Sequence, residues 1–150
     1  NIFVAVAPKA GMRIVKVTDT RKKEDFAYFV EDLIDNHFPN ASCIQLVLDN
    51  LNTHFATSII EAFDKTKAER ILERVKFIHT PKHGSWLNMA EIEINIMDRQ
   101  CTGGRIASKE ILESELMSWS NDRNEKQRNI EWKFTRQDAD KNYQGIMFHN

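Results

Sequence analysis

Short apolar runs and helically spaced apolar stripes take turns along the chain, and their order predicts its elements. Ile2 to Val6 is a short apolar run, and Arg13 to Val17 alternates through Ile14, Val15 and Val17. With Pro8-Lys9-Ala10-Gly11 as the turn between them, the two segments predict a β-hairpin. Phe26, Phe29, Val30, Leu33 and Ile34 then recur at helical spacing, with Thr20 available as an N-cap and Phe38-Pro39 as the stop, which predicts an amphipathic helix over roughly residues 22 to 36. Ile44-Gln45-Leu46-Val47-Leu48 is a compact apolar run that ends abruptly in Asp49-Asn50-Leu51-Asn52, as a buried strand does when its carboxyl end carries polar groups. Asp49 is therefore expected where a sheet meets solvent.

Ile59, Ile60 and Phe63 mark one helical stretch, and Thr66-Lys67-Ala68-Glu69 has the form of a capping box opening a second, through Ile71 and Leu72. Val75 to Ile78 alternates like a strand, and Thr80 to Trp86 is a loop by its proline and glycine. The segment Leu87 to Met97 is ambiguous, because residues 90 to 96 alternate strictly. On a helix they sort into two apolar stripes, Ala90, Ile94, Met97 and Cys101 beside Met89, Ile92 and Ile96, with Glu91, Asn95 and Asp98 on a polar face. Length and Asn88 as a cap favour the helix. Gly103-Gly104 breaks it, and Ser108 begins another carrying Ile111, Leu112, Leu116 and Trp119. The polar and aromatic C-terminal stretch predicts only a short strand or docked tail near Ile130 to Phe134. The sum is an α/β domain with mixed strand directions.

Composition narrows the class without naming a function. The 150 residues suit one domain, and 41% hydrophobic with 29% charged residues excludes low-complexity and disordered chains. No apolar run is long enough to span a bilayer, and the start lacks both a signal peptide and an initiator methionine, so the chain is expected to be a piece of a longer cytoplasmic protein. The 21 basic residues against 22 acidic ones announce no overall positive field, which counts against a simple DNA-binding module but leaves room for an enzyme acting on DNA at one patch. Cys43 and Cys101 lie far apart without a partner motif and read as small core residues in a reducing compartment.

Asp49 and Glu91 are the leading candidates for chemistry. One stands at a strand's carboxyl end and the other on the helix after the next strand, separated by a crossover that can return the chain beside its start. Carboxylates with open positions suit Mg²⁺ or Mn²⁺, and such ions serve phosphodiester chemistry. The bland alternative is that Asp49 caps a turn and Glu91 lies on a solvated helix face. His54, His79 and His83 offer a rival zinc site, although Pro81 and Gly84 keep the last two off a common helix. His54 and His83 could instead contact a phosphate or orient a carboxylate, and Lys82 could pair with a phosphate. Trp86 is either a core anchor for its loop or a stacking surface for an unpaired base. Arg21-Lys22-Lys23 places cations at a helix start, where the dipole disfavours them and an external anion would help.

Leu46-Val47-Leu48-Asp49-Asn50-Leu51-Asn52-Thr53-His54, followed by Thr80-Pro81-Lys82-His83-Gly84-Ser85-Trp86-Leu87-Asn88-Met89-Ala90-Glu91-Ile92-Glu93, resembles the DDE transposase domain of bacterial insertion sequences related to the Tc/mariner superfamily. The likeness extends to Asn1 to Val6 and Asp25 to Ala27 on one side, and to Arg99 to Cys101, Trp119, Arg123-Asn124 and Trp132 to Thr135 on the other. The resemblance implies a ribonuclease-H-like fold, a mixed sheet flanked by helices, whose three acidic residues hold two Mg²⁺ or Mn²⁺ ions. By the same resemblance Asp49 corresponds to the second acid and Glu91 to the third, and the first is expected upstream, on a strand pairing with residues 2 to 7. It further implies cleavage and strand transfer at transposon ends, DNA as partner, and a homodimer in the synaptic complex. His54, Lys82, His83 and Trp86 are the expected nucleic-acid contacts. Thr102-Gly103-Gly104 and Asp140 depart from the family pattern. The alternatives kept open are a truncated, inactive remnant that folds or dimerises, and a ribonuclease-H-like nuclease unrelated to transposition.

Overall fold

The computed structural model describes residues 1–49, 51, 54–81 and 88–127. The expected tail near Ile130 to Phe134, together with Lys82, His83 and Trp86, lies outside the described residues. β1 (Ile2–Ala7) and β2 (Met12–Val17) form the antiparallel hairpin, with Phe3 opposite Lys16 and Ala5 opposite Ile14. Its turn places Gly11 at φ 62°, a left-handed backbone that a residue without Cβ adopts freely. Successive side chains on a strand point to opposite faces, so Phe3, Ala5, Met12 and Ile14 share the face that joins the hydrophobic core. Arg13 leaves by the other face.

β3 (Ile44–Leu48) and β4 (Val75–His79) run parallel, with Ile44 opposite Val75 and Leu48 opposite His79. A parallel pair cannot be joined by a tight turn, and the crossover is made by α2 (Ala56–Ala62) and α3 (Lys65–Arg74). α1 (Lys23–Asp32) packs against both strand pairs. Its Phe29 ring lies 5.4 Å from that of Phe3 in β1, and its Phe26 ring 6.2 Å from that of Phe77 in β4. Phe26, Ala27, Val30 and Ile34 thus share one core with Ile59 of α2 and Ile71 of α3. On the opposite side, α4 (Met89–Met97) packs on β1 and α5 (Lys109–Glu125) on β2. The expected α/β class with mixed strand directions is what the chain adopts. Among the described residues its strands form two separate pairs rather than one continuous sheet.

Local differences from the sequence expectations have physical reasons. The first helix begins at Lys23 with Lys22, not Thr20, at the cap position. Thr20 acts one step removed: its hydroxyl and the Lys22 backbone N–H both donate to the Asp25 carboxylate. Those two bonds, the hydroxyl's first, hold the Asp25 carboxyl below its ordinary range. The helix then widens into a π-turn, Leu33–His37, closed by Phe38 N–H to the Leu33 carbonyl at 2.8 Å. Lys23, read as part of an anion-seeking cluster, instead pairs with Glu61 of α2 at 2.8 Å.

α3 starts earlier than the Thr66 box implies. Asp64 is the N-cap, and its Oδ1 accepts from the Lys67 backbone N–H at 3.0 Å, while Thr66 falls inside the first turn. Asp64→Ala is expected to destabilise the domain by about 1 kcal/mol, and Thr66→Ala by under about 0.5 kcal/mol. Urea melts would show the first as a lowered midpoint at constant slope, and the reverse order would overturn the Asp64 cap.

Neither cysteine is a core residue. Cys43 is exposed one position before β3, and Cys101 is half-buried in the π-turn Asp98–Thr102 that ends α4. Burial, with Glu115 nearby, pushes the Cys101 thiol up. Gly103 follows because a Cβ there would stand 2.7 Å from the Asp98 carbonyl oxygen.

Candidate active site

The parallel pair sets the stage for Asp49. β3 and β4 end side by side, and the Thr80 N–H bonds the Leu48 carbonyl at 2.8 Å, carrying the ladder one step past both strands. Asp49 comes immediately after that step, its side chain 42% exposed. The sequence placed it where a sheet meets solvent, and that is where it stands. In open α/β folds the carboxyl ends of parallel strands are where ligands bind.

His54 meets this carboxylate. Its Nδ1 lies 2.7 Å from Asp49 Oδ1, a charge-assisted distance. An ionised carboxylate can only accept, so Nδ1 carries the proton. The His54 backbone turns back on Leu51, N–H to carbonyl at 2.8 Å, which brings the ring round to Asp49. The ring packs against Phe26 of α1, centroids 4.8 Å apart. His79, the last residue of β4, donates Nε2–H to the His54 carbonyl at 2.8 Å and stacks on Phe55 at 4.7 Å. Two histidines considered as zinc ligands are thus engaged by a carboxylate and a carbonyl.

Glu91 occupies the third position of α4. Asn88 caps that helix as expected, its side chain accepting from the Ala90 N–H at 3.1 Å. A carboxylate in the first turn is favoured by the helix dipole. Asp49 and His54 are therefore brought into contact, while Glu91 is presented from a separate element packed on β1. Among the described residues no group of three His, Cys, Asp or Glu side chains converges tightly enough to hold an ion. Carboxylate oxygens such as those of Asp49 and Glu91 are the donor type that hard divalent cations take.

The helix carrying Glu91 is anchored by a residue that sequence reasoning missed. Glu93 is 1% exposed and accepts from Arg13 (Nε at 2.9 Å, Nη2 at 2.8 Å) and Arg123 (Nε at 3.1 Å, Nη2 at 3.0 Å). Arg13 Nη1 also donates to the Gly11 carbonyl at 2.7 Å. Asn124 bonds the Arg13 backbone in both directions, accepting at 2.7 Å and donating at 2.9 Å. Arg123 lies over the Trp119 ring, and the Trp119 indole N–H reaches Gln100 at 3.0 Å. Burial acts to raise the Glu93 carboxyl, but the two guanidinium groups outweigh it and hold the group below its ordinary range.

The network departs from the expected faces of α4 at three positions, while Met97 is buried and Asn95 and Asp98 are exposed as expected. Glu93 and Met97 point inward, one turn apart, whereas Ile92 at 39% and Ile94 at 42% are exposed. A charge set between two isoleucines was the available signal, since a carboxylate in an apolar run is stable only with partners.

A family model described as DDE superfamily endonuclease matches residues 1–113. Neither a curated protein nor a solved structure matches the chain. The matched stretch runs from β1 into the first turns of α5, takes in Asp49, His54, Glu91 and Glu93, and covers well over half of the 150 residues. On that span the chain belongs to the DDE superfamily endonuclease family.

Proposed function

We propose that this chain is the catalytic domain of a metal-dependent DNA transposase, with Asp49 and Glu91 as two of its acidic metal ligands. Family membership carries nuclease-type chemistry on DNA. The observation that carries the finer reading is the placement of Asp49: a half-exposed carboxylate at the carboxyl end of a parallel strand pair, held at one oxygen by His54. Mg²⁺ or Mn²⁺, when bound, would activate the attacking oxygen and stabilise the leaving one in phosphodiester hydrolysis and strand transfer at transposon ends. Asp49 and Glu91 would supply carboxylate oxygens for that ion. Lys82, His83 and Trp86 are proposed, on their residue types, to contact the DNA strand. A first acid on a strand beside β1 would complete the ligand set. The partners on this reading are transposon-end and target DNA and a second copy of the protein in the synaptic complex. No helix among the described residues is long and apolar enough to cross a membrane; a cytoplasmic, nucleoid-associated location is proposed from DNA as substrate and from the resemblance to bacterial insertion sequences.

A second reading, a remnant that folds or dimerises without cleaving, draws on the strand edges. Among the described residues β1 pairs only with β2 and β3 only with β4, so each of these strands has an edge that another strand can extend.

Calorimetric titration of Mn²⁺ into the full-length protein tests the first reading. Binding is expected in the wild type and should weaken at least about tenfold in both Asp49→Asn and Glu91→Gln, a loss of about 1.4 kcal/mol or more each. A wild type that binds no Mn²⁺, or variants that bind it equally well, would overturn the assignment.

A further inference from the structure

We propose that His54 is a positioning residue for Asp49: it fixes the carboxylate through Nδ1, and His79 in turn fixes His54. The inference rests on the metal-site reading of Asp49 and, of the two tasks the sequence allowed His54, assigns it the orienting of a carboxylate rather than contact with nucleic acid.

Four observations converge. The His54 Nδ1 to Asp49 Oδ1 distance of 2.7 Å commits one oxygen of the carboxylate and fixes its orientation. The His54 backbone is held by His79 Nε2–H on its carbonyl at 2.8 Å, so the last residue of β4 braces the loop that follows β3. Both rings are clamped by aromatics, His54 on Phe26 at 4.8 Å and His79 on Phe55 at 4.7 Å. The His54 side chain is 17% exposed against 42% for Asp49, so the histidine lies beneath the carboxylate rather than beyond it. This is the geometry of a group that orients a ligand, and removing such a group lowers metal affinity without removing a metal ligand.

The imidazole's two nitrogens make the idea separable from DNA contact. Asparagine places its amide nitrogen near the Nδ1 position, glutamine near Nε2. Both lose the ring contact with Phe26, so the difference between them isolates the bond to Asp49. In the full-length protein His54→Gln is expected to weaken Mn²⁺ binding by about 10-fold or more, as is His54→Ala, while His54→Asn stays within a few-fold of wild type. Affinity for transposon-end DNA, measured without divalent metal, should be unchanged in all three. Equal Mn²⁺ affinity in the Asn and Gln variants would overturn the proposal. So would a loss of metal-free DNA affinity in Asn that Gln restores, since that pattern assigns His54 to the phosphate. A wild type that binds no Mn²⁺ would remove the site reading itself, whereas wild-type binding with Asn and Gln alike leaves that reading standing and removes only the role of His54.

Discussion

On the proposed transposase reading, Asp49→Asn in the full-length protein is expected to reduce metal-dependent cleavage at transposon ends by about 10³-fold or more, and Glu91→Gln by a similar factor. Charge stabilisation by a bound ion contributes several kcal/mol to a phosphodiester transition state, and each 1.36 kcal/mol is about tenfold in rate. Stability should barely change. The side-chain amide introduced by Asp49→Asn would keep an oxygen for the His54 Nδ1–H that now bonds Asp49 at 2.7 Å, losing only the charge assistance. Glu91 lies in the first turn of α4, where neutralising a carboxylate costs about 0.3–1 kcal/mol of dipole interaction. Cleavage of an end-labelled duplex, beside thermal melts of the same preparations, separates the two effects. A variant that keeps more than about a tenth of wild-type cleavage while folding normally would remove its residue from the metal site.

The element order was legible because each element carries its own period. The hairpin, both later strands and the helices all stand near the expected positions, and the ambiguous segment before Met97 proved helical with Asn88 as its cap. Asp49 was legible as well, because the abrupt end of an apolar run marks the carboxyl end of a strand, although β3 is half-buried rather than buried as expected, with Val47 47% exposed. What the sequence hid was partnership over distance. Glu93 meets Arg13 across 80 positions and Arg123 across 30, so the local signal, a charge between two isoleucines, does not name the partners that let it face inward while Ile92 and Ile94 face out. Hydrophobic stripes assume that burial follows polarity, and a fully paired carboxylate breaks that assumption. The cap of α3 was missed for a different reason: Asp64 and Thr66 both offer a capping oxygen, and only the helix's true start at Lys65 decides between them. The two cysteines were misplaced because composition alone says a free cysteine is buried, while Cys43 lies outside the strand that would bury it.

Glu93→Ala is expected to destabilise the domain by about 3–5 kcal/mol, the range seen when one member of a buried ion pair is removed and its partners stay behind. Arg13 and Arg123, 2% and 8% exposed, would then share a buried space without the carboxylate that neutralises them. β2, α4 and α5 would lose the ion pairs that join them, and with these the anchor of the helix that presents Glu91. Replacing all three charges together, Arg13→Met with Glu93→Leu and Arg123→Met, should cost far less than Glu93→Ala, because no charge remains to be desolvated. Urea melts at pH 7 would order the variants, and a triple variant less stable than Glu93→Ala would show that the network stabilises beyond its own desolvation. Acid should act in the same direction as the single substitution. Because the Glu93 carboxyl is held below its ordinary value of 4.5 when folded, its contribution is present in full above that pH and disappears as pH falls below it, through the folded-state value. The wild type is therefore expected to lose more stability between pH 5 and acid than the triple variant, in which that carboxyl is absent, and parallel losses in the two proteins would remove Glu93 as the source.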